Sequence, residues 1–188
     1  MKMQKILLFL MIATVGLVSC SSCAKKTPDP TTPDGAPAPS ASVTVTPVPP
    51  APVPTTVTVK LDNAEFTLPD NGWAAVQGPP AHSVAYLNMG KKNIVILVSE
   101  DYPGTYEQYV LMALRGIKDA GAVINSAKQV DVNGNKFVLV ESSKNGVTAW
   151  MWVTWISNHG YGFSCGGPTS DATQKDLCSS VAGTLKIN

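Results

Sequence analysis

The stretch Phe137-Val138-Leu139-Val140-Glu141-Ser142-Ser143-Lys144-Asn145-Gly146-Val147-Thr148-Ala149-Trp150-Met151-Trp152-Val153-Thr154-Trp155 decides the fold. It holds two runs of β-branched and aromatic residues joined by Asn-Gly. That dipeptide is the strongest short hairpin signal, because both turn residues must accept positive φ. Working outward, Asn133-Gly134 precedes the first run and Asn158-His159-Gly160 follows the second. Residues 123–132, 136–142, 147–157 and 161–165 therefore read as an antiparallel meander. His159 falls in the last turn, where an exposed polar residue is ordinary. Upstream, residues 82–89 and 93–99 read as a hairpin about Gly90-Lys91. Ile94-Val95-Ile96-Leu97-Val98 is apolar at every position, which calls for cover on both faces of the sheet. Val57, Val59 and Leu61, then Phe66 and Leu68, alternate as short strands, and Pro69-Asp70-Asn71-Gly72 turns the chain into Trp73.

Two helices supply the cover. Thr105-Tyr106-Glu107-Gln108 has the form of a capping box. Tyr106, Tyr109, Val110, Ala113, Leu114, Ile117 and Ala120 then recur at helical spacing, and Gly121 is placed to end the helix in a left-handed cap. A second helix is expected from about Thr169-Ser170-Asp171, capped by a hydroxyl, through Leu177, Cys178 and Val181 to Gly183. Leu185-Lys186-Ile187 closes the chain. The fold class is α+β, an antiparallel β-sheet flanked by helices, in one domain over residues 57–188. Roughly 130 residues suffice for a core of their own.

The amino-terminal part has another character. Met1-Lys2-Met3-Gln4-Lys5 is basic, residues 6–18 are apolar, and Leu17-Val18-Ser19-Cys20 follows. The apolar run falls short of the ~20 residues a membrane-crossing helix needs, so residues 1–19 read as a secretory signal peptide. Residues 20–56 are dominated by Pro, Thr and Ala, with no apolar period. Such a segment buries too little to offset its ordering entropy and reads as a disordered linker. About 36 residues reach ~110 Å as polyproline and roughly 35 Å as a flexible coil. The plain role is a passive spacer.

Leu17-Val18-Ser19-Cys20 resembles the lipobox of bacterial lipoproteins. The resemblance implies lipidation of the Cys20 sulfur (diacylglycerol, with palmitate as a typical chain), cleavage before Cys20 and acylation of the new amino terminus. The alternative is an ordinary cleavage site with Cys20 left as a thiol. The resemblance also implies the localisation: an exported, lipid-anchored protein of the cell envelope. In a host with two membranes this means the periplasmic face of the outer membrane, since Ser21 and no Asp follows Cys20. Phe66-Thr67-Leu68-Pro69-Asp70-Asn71-Gly72-Trp73 resembles the Phe-x-Leu-Pro-x-Gly-Trp opening of the PsbP-like fold, shared by the Ran release factor and DcrB-like lipoproteins. The order of hairpins, helix, meander and last helix is similar over nearly all of residues 57–188. This implies a PsbP-like α/β/α sandwich, and no function, because members of that fold differ widely in role.

The side chains that carry chemistry are few. In an exported domain Cys165 and Cys178, a strand end and a helix middle, read as a disulfide; the other reading is two buried thiols. Cys20-Ser21-Ser22-Cys23 has redox-motif spacing but lies in the lipidation site, and Cys23 is left over. Trp150 and Trp152 share a strand face, which is a contact surface for an envelope protein or glycan partner if no helix covers it, and core packing otherwise. Acidic and basic residues nearly cancel, 13 against 14 with Arg115 the single arginine, so no basic stripe exists for nucleic acid. No Cys/His cluster has zinc spacing. Glu100-Asp101 reads as a solvated pair before a helix rather than a hard-cation site, and no cofactor or metal is expected. His-Glu-x-x-His and a phosphate-cradling glycine loop are absent, and Phe163-Ser164-Cys165-Gly166-Gly167 reads as a glycine-flanked loop. A dispersed triad of His82 or His159 with Ser and Asp has no local feature to select it. The expected function is a non-catalytic binding or assembly module held at a membrane. The alternatives are a small-ligand- or metal-binding lipoprotein and, less favoured, a hydrolase.

Overall fold

The computed structural model describes residues 56–188, apart from 70, 71, 78 and 80. Residues 1–55, which hold the expected signal peptide, Cys20, Cys23 and all of the expected linker but Thr56, lie outside the described residues. The strands are β1 (Thr56–Leu61), β2 (Ala64–Pro69), β3 (Trp73–Ala75), β4 (Ser83–Asn88) and β5 (Asn93–Asp101), then helix α1 (Tyr106–Asp119). The meander follows as β6 (Val123–Val132), β7 (Asn135–Lys144), β8 (Val147–Ile156) and β9 (His159–Pro168), then α2 (Gln174–Ala182) and β10 (Lys186–Ile187).

These strands make a seven-stranded sheet in the order β3-β4-β5-β9-β8-β7-β6, antiparallel at every join, and a small sheet β1-β2-β10. The small sheet is an addition to what the sequence suggests. It forms because the carboxy-terminal Lys186 and Ile187 pair with Glu65 and Ala64. Asn133 and Gly134 have φ of 52° and 83°, and Asn145 and Gly146 have 51° and 76°, as two-residue hairpins demand. The third turn is a correction. Ser157 and Asn158 take the positive φ values, 52° and 66°, so His159 is the first residue of β9 and not part of the turn.

Period two sorts the large sheet into two faces. One face carries Val95, Leu97, Phe137, Trp150, Trp152, Phe163 and Cys165, covered by α2 and by Phe66 and Leu68 of the small sheet. Phe163 is fully buried where the two sheets meet. Its ring stands edge-on to Phe66 at 5.2 Å and tilted to Trp152 at 5.6 Å. Trp150 and Trp152 are 7 % and 4 % exposed, so the contact surface considered for them does not exist: they are core. The Trp150 indole N–H donates to Glu141 at 3.1 Å, which satisfies its one polar atom.

The opposite face carries Val140, Met151 and Val153, packed under Tyr109, Val110 and Ile117 of α1. The capping box is complete: the Gln108 N–H donates to Thr105 Oγ1 at 3.3 Å, and the Thr105 N–H donates to Gln108 Oε1 at 3.0 Å. At the other end Gly121 has φ 75°. The Gly121 N–H reaches the Lys118 carbonyl at 2.8 Å and the Ala122 N–H reaches that of Ile117 at 3.2 Å, the paired bonds of a Schellman ending. Helix α2 begins later than its sequence suggests. Thr173 is the cap residue without a side-chain cap bond, and it is the Asp171 carboxylate that accepts from the Thr173 N–H at 3.0 Å.

Cys165 and Cys178 form a disulfide, Cα to Cα 5.4 Å, joining the middle of α2 to β9. A loop of this length contributes about 3 kcal/mol through the entropy of the unfolded chain. The Cys165→Ala, Cys178→Ala double variant should therefore unfold in urea with that much less stability. A change below about 1 kcal/mol would mean the crosslink constrains little.

Candidate functional site

Within the described residues, both histidines and three carboxylates gather at the end of the large sheet where β5 finishes and β9 begins. On β5, Ser99 and Asp101 share a face by alternation. Across the β5–β9 join Asp101 pairs with His159 and Ser99 with Tyr161. The imidazole therefore stands opposite one residue and diagonal to the other. His159 Nδ1 is 2.8 Å from Asp101 Oδ1, and Nε2 is 2.8 Å from Ser99 Oγ. With Nδ1–H donated to the carboxylate, Nε2 is left to accept from the Ser99 hydroxyl. Asp62, in the turn between β1 and β2, comes within 4.0 Å of the same Nε2. The Tyr161 ring lies 5.2 Å from the imidazole, and burial raises its hydroxyl pKa.

These are the distances of a Ser-His-Asp relay, but the burial is reversed. A nucleophilic serine must face substrate while its aspartate is enclosed. Here Ser99 is 0 % exposed and the Asp101 side chain is 94 % exposed. What the arrangement does in this fold is join β5, β9 and the β1–β2 turn through one ring. A correction to the sequence reading, which took Gly-x-Ser-x-Gly as absent, is that Gly162-Phe163-Ser164-Cys165-Gly166 spells this nucleophile-elbow pattern. Residues 163–167, read both as the end of a strand over 161–165 and as a glycine-flanked loop, all lie within β9, with Ser164 paired to Ile96 and Met151. The sharp strand-to-helix turn that exposes such a serine is not there.

Glu100 and Asp101 point to opposite faces of the sheet, so they do not converge on a cation. Glu100 is half-buried and accepts from the Tyr109 hydroxyl at 3.1 Å. Burial raises the Glu100 pKa, with the Tyr109 bond opposing, and burial followed by the Glu100 charge pushes the Tyr109 phenol far up. The Tyr109 ring lies directly over Gly160, where a Cβ would sit 2.2 Å from ring carbons. Because folding raises the Glu100 pKa, its contribution is complete below the ordinary glutamate range and is lost as pH rises through the shifted value. Glu100→Gln should therefore gain urea stability over the native protein on going from pH 4 to pH 7. An unchanged difference would show that Glu100 titrates alike in folded and unfolded chains.

A hollow lined by Ala120, Ser142, Lys144 and Ala149 among others offers about 10 Å³, against the ~300 Å³ or more of a small-molecule site. Of the residues singled out from sequence, Cys165 and Cys178 are brought together, and Trp150 and Trp152 go to the core. His159 enters a cluster that was not foreseen. Asp101 was read only as half of a solvated pair, and its union with Ser99 was hidden because it depends on the β5–β9 register, between segments some sixty residues apart; Asp62 comes from the β1–β2 turn and was not singled out.

No family model matches the chain, and no curated protein does. Among solved structures, the chain is similar to the solution structure of cyanobacterial PsbP (CyanoP) from Synechocystis sp. PCC 6803, with TM-score 0.57 and 17 % identity, covering 77 % of this chain and 99 % of that one. A protein from Bacteroides thetaiotaomicron VPI-5482 matches with TM-score 0.48 and 14 % identity, over 67 % of this chain and 45 % of that one. PA94 of Pseudomonas aeruginosa, a protein of unknown function, matches with TM-score 0.46 and 11 % identity, over 71 % and 97 %. The CyanoP likeness carries the fold alone: residues 56–188 adopt a PsbP-like α/β/α sandwich.

Proposed function

We propose that the chain is an exported lipoprotein of the cell envelope, in which a PsbP-like domain rides on a Pro-rich tether and acts by binding or assembly rather than catalysis. The observation that carries this is Leu17-Val18-Ser19-Cys20 after a basic, apolar leader and before a segment of lipidated-protein tether composition. The disulfide agrees with an oxidising compartment. The partner is an envelope protein or glycan, met within the reach of the tether. Photo-crosslinking of the anchored protein in intact envelopes tests this. A specific crosslinked species on the domain supports it, and a tight small-molecule hit without any such species favours the ligand-binding alternative.

One observation favours a second reading. Ser99, His159 and Asp101 have relay distances, as a hydrolase requires. The enclosed Ser99 hydroxyl argues against it. A fluorophosphonate probe should leave the native protein unlabelled, whereas labelling that disappears in Ser99→Ala would establish the hydrolase.

A further inference from the structure

We infer that Asn93 and Gln174 form an internal hydration site beneath the amino end of α2, with water as its bound ligand. A row of residues crosses the α2 side of the large sheet: Trp73 pairs with Asn88, Asn88 with Asn93, and Thr148 with Gly167. Gly167 adjoins the Ile94–Gly166 pair and so continues the row from Asn93. The middle of this face, from Val95 and Leu97 across Phe163 and Cys165 to Trp150 and Trp152, is apolar, but here Asn88, Asn93 and Thr148 are buried polar residues. Gln174, the first residue of α2, comes down onto the row. Asn93 and Gln174 are each 1 % exposed, and the four polar atoms of their carboxamides are buried outside hydrogen-bonding geometry, the Gln174 side chain making only the weakest of the interactions that lower the Asp171 pKa.

The two carboxamides meet over Gly167. A Cβ there would lie 2.3 Å from Asn93 Oδ1 and 2.6 Å and 2.8 Å from the Gln174 carboxamide atoms. A side chain at this position would have to displace the amides. A buried polar group without a partner costs about 1–3 kcal/mol, and four together would rival the ~5–15 kcal/mol that holds a domain folded. A partner from outside the chain resolves this. Two carboxamides present equal numbers of donors and acceptors and no net charge, so they match a small neutral molecule that both donates and accepts. Water does so and commonly makes about three bonds in such sites. The Trp73 indole N–H, also buried without a partner, lies on the same row.

The test is water-to-protein cross-relaxation in the ¹⁵N-labelled full chain in detergent, read at the carboxamide protons of Asn93 and Gln174. Signals of the sign that marks a long-lived water are expected at both. In Gln174→Met the Asn93 signal should vanish and the folded-to-unfolded ratio should fall roughly tenfold. Absence of water signals in the native protein, direct hydrogen-bond coupling between the two carboxamides, or a Gln174→Met protein more stable than the native one would each overturn the inference. The native-protein spectrum decides even if the variant does not fold.

Discussion

Cys20→Ala should shift the protein from the membrane fraction to the soluble one. Each buried methylene contributes about 0.8 kcal/mol to membrane binding, so a single chain holds marginally and two or more hold stably. A lipidated, acylated Cys20 would carry two or three, and the alanine variant none. What then remains is the uncleaved leader. Its apolar run, residues 6–18, spans about 20 Å as a helix, well short of the ~30 Å hydrocarbon core. The shift should therefore be near complete in alkaline-washed membranes. Retention of the variant would mean that the leader, and not lipid, is the anchor.

Phe163→Ala should cause the largest stability loss of any single core change. Phe163 is fully buried on β9 and its ring touches both Phe66 of the small sheet and Trp152 of the large one. Truncating a buried phenylalanine costs about 3–5 kcal/mol through lost transfer energy and the cavity left behind. Each aromatic pair adds about 0.5–1.5 kcal/mol beyond area. Against a total of about 5–15 kcal/mol, such a loss should lower the melting temperature by roughly 10–20 °C. Phe163→Leu, which retains most of the volume, should lose less than half as much. A Phe163→Ala variant within about 1 kcal/mol of the native protein would mean that the two sheets are not packed through this ring.

The meander was legible because its punctuation is local. Asn133-Gly134 and Asn145-Gly146 fix two hairpins through conformations that few other residue pairs accept. Thr105 with Gln108, and Gly121, mark both ends of α1 by hydrogen bonds within a few residues. The disulfide was legible from the reading of the chain as exported and from the count of cysteines. Non-local features were not. Nothing in residues 93–101 announces that β9 rather than β6 will be their neighbour, and so the meeting of Ser99, Asp101 and His159 was hidden. The same holds for β10 joining β2, which creates the second sheet. The third turn misled because Asn158-His159-Gly160 looks like turn chemistry. The chain places Ser157 and Asn158 at the bend, and leaves Gly160 free to accept the Tyr109 ring. The tryptophans stayed between core and contact surface for a related reason: alternation tells which residues share a face, and only tertiary structure tells that α2 and the small sheet cover it.

The most direct measurement is intact mass of the processed amino terminus from purified envelopes. The proposal requires a peptide beginning at residue 20 whose cysteine bears diacylglycerol, with or without a further acyl group on its nitrogen. A mature chain starting there with an unadorned thiol, or starting elsewhere, would contradict it.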